Sequence, residues 1–126
     1  MKRVIFIMLI MISLLTACSD GTIGNPTAKE ILRDEPDADI LQYEGLIYQK
    51  IVDDNFLPNI KDLVKYEELG EIKKTKDSYW GFNDLNASKL PVGTKVFSTN
   101  EGEETNYHLI IELDGEDIHY FVLLEG

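Results

Sequence analysis

The chain holds one thiol, Cys18, two imidazoles, His108 and His119, and one indole, Trp80. A lone thiol makes neither an internal disulfide nor a thiolate metal cage, so its chemistry is that of a single nucleophile. Two imidazoles and a carboxylate would make a metal-binding or acid–base set. Both lie in an apolar stretch that reads as a hairpin, its arms joined through Asp114-Gly115. With a two-residue turn His108 stands opposite Phe121; with a four-residue turn His119 stands opposite Glu112. Neither register sets one imidazole opposite the other. The expectation is one imidazole on a sheet face beside a carboxylate, with no catalytic site and no metal site.

Carboxylates are abundant but poorly patterned for chemistry. The run Asp34-Glu35-Pro36-Asp37-Ala38-Asp39 offers oxygen ligands, yet it departs from the calcium-loop pattern in its Pro36 and its missing glycine and terminal glutamate. Glu101-Gly102-Glu103-Glu104 is a charged loop tip. Both read as solvated acid, with weak calcium binding as the alternative. Ser19, Ser78, Ser88 and Ser98 lie in no nucleophile-elbow pattern. Gly93-Thr94-Lys95 lacks the order of a phosphate-binding loop, and no cofactor is implied. Tyr79-Trp80-Gly81-Phe82 stands out within residues 77–93, a long stretch without periodicity. Tyr79, Trp80 and Phe82 form a candidate binding loop if exposed, or a lid on a small core if buried.

The first eighteen residues are a separate object. Lys2 and Arg3 precede an apolar run from Val4 to Leu15, then Thr16-Ala17-Cys18. A charged start, a short apolar run and small residues match a secretory signal. A membrane-spanning helix would need roughly 20 apolar residues. Leu15-Thr16-Ala17-Cys18 resembles the lipobox of bacterial lipoproteins. That resemblance implies that residues 1–17 are removed, that Cys18 carries the lipid, palmitate included, and that the protein is held on the extracytoplasmic face of the cell membrane. The plainer alternative is an ordinary signal peptide with an incidental cysteine.

Charge sets further limits. The 126 residues carry 12 Lys+Arg against 23 Asp+Glu, a formal net charge of −11. Removing residues 1–17 takes Lys2 and Arg3 and no acid, which leaves −13. A phosphate backbone would be repelled, so electrostatic nucleic-acid binding is excluded. A basic partner or bound cations suit this charge better than an acidic ligand. The three methionines, Met1, Met8 and Met11, all belong to the signal.

The elements that must position these residues follow from local pattern. Residues 18–26 read as the lipidated cysteine and a flexible tether, and residues 27–126 as one globular domain. Thr27 to Glu30 reads as a capping box for a helix of two turns at most, ended before Pro36, or else as a polar turn. Ile40-Leu41-Gln42-Tyr43 and Leu46-Ile47-Tyr48-Gln49 flank Glu44-Gly45 as a hairpin. Phe56, Ile60, Leu63 and Val64 share one helical face. Glu68 to Ile72, running on to Lys74, forms a strand with a bulge at Gly70. Val96-Phe97 opens another strand, and residues 99–105 form an acidic loop. The hairpin carrying both imidazoles ends the chain, its middle buried on both faces. The expected class is α+β, mainly antiparallel β. It is a small twisted sheet or partly closed barrel of about six strands with one or two short helices.

Glu44-Gly-Leu-Ile-Tyr48, Leu69-Gly-Glu-Ile72, Leu90 to Phe97 and the closing Tyr120 to Gly126 are similar to small lipoproteins of Bacillus-type Gram-positive bacteria. The resemblance spans most of residues 38–126 and rests on turns and strand starts, so it carries over no catalytic residue. The function expected is a non-enzymatic binding module for an envelope protein or a cell-wall component. Alternatives are a small hydrolase or metal-dependent enzyme using His108 or His119 with nearby carboxylates, and an assembly factor acting through a free sheet edge.

Overall fold

The computed structural model describes residues 24–52, 60–99 and 106–125. The signal segment, Cys18, most of the tether and the acidic tip Glu101–Glu104 lie outside the described residues, as do Phe56 and Pro58 of the second expected helix.

One α-helix among the described residues, α1 (Ala28–Asp34), opens the domain. Thr27 caps it, its Oγ1 accepting from the Glu30 N–H at 3.3 Å. At the other end the Glu35 N–H donates to the Ile31 carbonyl at 2.7 Å, before Pro36. Seven residues are too few to hold a helix in water, so α1 depends on burying Ala28 and Leu32.

Eight strands follow: β1 (Ile40–Tyr43), β2 (Leu46–Lys50), β3 (Lys65–Glu71), β4 (Lys74–Thr75), β5 (Asn86–Ala87), β6 (Lys95–Thr99), β7 (His108–Leu113) and β8 (Glu116–Val122). They form one mixed sheet in the order β3-β6-β7-β8-β2-β1-β5-β4, antiparallel throughout except for the β4–β5 pair. The fold is mainly β with one short helix. It has eight strands rather than about six, because β4 and β5 are two-residue strands inside segments without periodicity.

Both expected hairpins are present, each with a two-residue turn. Glu44 and Gly45 have φ of 49° and 78°, Asp114 and Gly115 of 51° and 78°. Positive φ at both central residues matches the right-handed twist of the flanking strands. The expected bulge is present too: the register between β3 and β6 shifts between Glu68 and Gly70. The second expected helix is a short 3-10 turn, Ile60–Asp62, in its described part. Ile60 is buried, but Val64 is exposed and the next residue already starts β3.

The sheet curls into a half-barrel, and the connection from β3 to β4 requires it. These strands stand at opposite edges of the sheet order, yet only Ile72 and Lys73 separate them. Two residues span about 11 Å from Cα to Cα at most. The Ile72 N–H donates to Thr94 O and its carbonyl accepts from Gly93 N–H, both at 2.8 Å. The Lys73 N–H donates to Leu85 O, also at 2.8 Å. One side of the sheet encloses the main core, with Leu41, Tyr48, Ile72, Leu85, Val96, Leu109, Ile111, Tyr120 and Val122. A second cluster lies where α1 covers Ile40 and Ile47 on the other side. Ile110 is also buried, as expected for a hairpin covered on both faces.

Two buried tyrosines put hydroxyls at the core margin. Tyr120 Oη donates to Asp39 Oδ1 at 2.6 Å and Tyr48 Oη to the Asn106 carbonyl at 2.5 Å. Burial raises the pKa of both phenols, the Asp39 carboxylate adding to the effect at Tyr120.

Candidate functional site

The two-residue turn at Asp114-Gly115 sets His108 opposite Phe121 and His119 opposite Ile110. No imidazole faces another directly, yet the rings meet. Residues 108 and 119 lie on the same sheet face as diagonal neighbours, a distance that ring side chains can bridge. His108 Nε2 and His119 Nδ1 are 2.9 Å apart, with the rings edge to face at 85°. The expectation of an imidazole paired with a carboxylate is therefore corrected for His108. Counting directly opposed residues omitted the diagonal contact.

At this distance one ring donates an N–H and the other accepts. His108 is only 7 % exposed. Burial, followed by the charge of His119, lowers its pKa to about 4, so His108 is neutral at pH 7. Neutral imidazoles are potential metal ligands and proton acceptors. Among the described residues no group of three or more His, Cys, Asp or Glu side chains is arranged to hold a metal ion.

The acidic run near α1 lines an open depression of about 430 Å³ together with Gln49, Lys50 and Val52. Its Asp39 is the acceptor for Tyr120.

The aromatic loop divides its three rings between two roles. Tyr79 and Phe82 pack against the cluster beneath α1. Trp80 is 67 % exposed, its ring 5.4 Å from that of Tyr79, with Lys29 Nζ 5.5 Å from its ring centroid. The loop is tied at several points. Asp84 Oδ1 accepts from Gly45 N–H at 2.9 Å and Gln42 Nε2 at 3.0 Å, and these bonds hold its carboxyl below the usual range. Asn86 Oδ1 accepts from Asn83 N–H at 3.1 Å. Ser88 Oγ accepts from Ile40 N–H at 2.9 Å and donates to Ala38 O at 2.6 Å. Two rings fix the loop and the third projects.

Besides Lys29, further lysines lie close by in the chain. Lys76 Nζ lies 3.5 Å from where a Cβ on Gly81 would stand. An adjoining open depression of about 410 Å³ is lined by Lys73, Lys74, Thr75, Lys76, Asp77, Ser78 and Val92. The sequence carried a signal for this surface. Residues 73–95 hold Lys73, Lys74, Lys76, Lys89 and Lys95 against Asp77 and Asp84, a local charge of +3 in a chain of −11. Whole-chain charge hid it.

No helix among the described residues is long and apolar enough to cross a membrane. Compared with protein-family models, curated proteins and solved structures, the chain matches none.

Proposed function

We propose that the protein is a membrane-anchored lipoprotein of the extracytoplasmic face, acylated at Cys18 after removal of residues 1–17. Its domain, residues 27–126, is a non-enzymatic binding module for a component of the envelope, a protein or a cell-wall constituent. The observation that carries the binding role is Trp80, an exposed ring on a base that Tyr79 and Phe82 hold in place. Keeping a large apolar ring in water is unfavourable. A rigid projecting indole gives a contact with little ordering cost. The address rests on the lipobox resemblance at Leu15–Cys18.

Two measurements test this. Labelled palmitate should enter the parent chain and not Cys18→Ser, which should leave the membrane fraction. A photoreactive residue at position 80 should capture a discrete species in cells, well above capture from position 116, the exposed first residue of β8. Equal capture at the two positions removes the binding role.

The His108–His119 contact favours a second reading, a metal-dependent or hydrolytic site. Histidine ring resonances followed by NMR during zinc addition decide it. Unchanged resonances at equimolar metal end that reading.

A further inference from the structure

We infer that the surface formed by Trp80, Lys29, Lys76 and the depression of Lys73, Lys74 and Val92 lies against an anionic phospholipid bilayer. The inference rests on the reading of Trp80 as the contact residue and assigns lipid, in place of a protein or wall polymer, as what it contacts. It does not depend on acylation of Cys18.

The surface is continuous. Lys29 stands over the Trp80 ring, Lys76 reaches the adjoining Gly81, and Lys76 also lines the depression with Lys73, Lys74 and Val92. Trp80 and Val92 are 67 % and 65 % exposed, so two apolar side chains project among four cations. Tryptophan beside lysine suits the headgroup layer: the indole is apolar with one polar edge, and ammonium groups meet lipid phosphates. The acids at hand are Asp77 in the depression, Glu30 beside Lys29 and Asp84, whose carboxylate faces Lys73, three against four lysines. Local charge still favours an anionic surface.

Net charge does not oppose this contact. The Debye length at physiological salt is about 8 Å, so acids on the far side of the domain are screened from the bilayer. Within that range the lysines act on the lipid surface and turn this face toward it. The described N-terminal end of the domain is on this side. Lys29 lies in the first turn of α1, eleven positions after Cys18.

Trp80 is the only tryptophan, so its fluorescence reports this surface alone. The full-length chain is mixed with vesicles of phosphatidylcholine, with or without phosphatidylglycerol, and separately with inorganic phosphate. The expected result is a blue shift, and quenching by bromine-labelled lipid, with phosphatidylglycerol vesicles only. The triple variant Lys73→Gln, Lys74→Gln, Lys76→Gln alters exposed or half-buried side chains and should lower this partition roughly a hundredfold, at about 1 kcal/mol per lysine.

An unshifted Trp80 overturns the inference, even if the chain sediments with the vesicles. In that case the anchor reading stands. An equal shift with neutral vesicles, or the full shift with phosphate alone, also overturns it. Capture of phospholipid at position 80 in cells supports it. Capture of a protein or wall polymer there overturns it and leaves the binding role intact.

Discussion

At the scale of single residues, His108 links acidity to stability. Its imidazole titrates near 6.5 in an unfolded chain and at about 4 when folded. Between these values the unfolded chain binds the extra proton, so stability is whole above about pH 6.5 and declines as pH falls toward 4. The loss attributable to this group is at most about 3 kcal/mol. Urea midpoints at neutral and mildly acid pH should differ, and His108→Leu should flatten the dependence; an unchanged slope would remove His108 as its source. The tyrosines act at the other extreme. An unfolded phenol ionises near pH 10, whereas buried Tyr48 and Tyr120 resist, so alkali destabilises the fold above that point. Tyr120→Phe removes the bond to Asp39 and should cost about 1–3 kcal/mol by chemical denaturation. An unchanged midpoint would mean the bond adds nothing net.

At the scale of elements, two glycines separate backbone strain from steric conflict. Gly115 has a φ of 78° and open space around it, so Gly115→Ala should cost about 1 kcal/mol from conformation alone. Gly70 has a φ of 151°, and a Cβ there would stand 2.9 Å from Leu85 Cδ1 in the core. Gly70→Ala should therefore cost more, about 2–3 kcal/mol, and relax the bulge. Equal melting shifts in the two variants would contradict the steric account. The hairpins and the Gly70 bulge were legible because alternation and turn glycines are local signals. β4 and β5 were not: two residues carry no period, and their pairing is set by the seam at Ile72 and Lys73. The imidazole contact was legible in principle, since a two-residue turn puts both residues on one face of the hairpin. It needed the diagonal to be counted. The division of the aromatic loop was not legible, because it depends on α1 lying beneath Tyr79 and Phe82.

At the scale of the whole molecule, closure of the sheet concentrates stability in the seam. Ile72 is fully buried there and joins the two edges of the half-barrel. Ile72→Ala should cost about 2–5 kcal/mol and speed hydrogen exchange at Lys73 and Gly93, which donate across the seam. Exchange that stays slow at both amides would show that the edges hold without it. A separate feature concerns the two ends of the described chain. The Glu125 N–H donates to Asn25 Oδ1 at 3.3 Å, so they are neighbours. A circular permutant follows from this. With Asn25 and Glu125 bridged by a short linker and new termini cut at Glu44-Gly45, every strand pair is retained, and the rewired polypeptide should still unfold in one cooperative step.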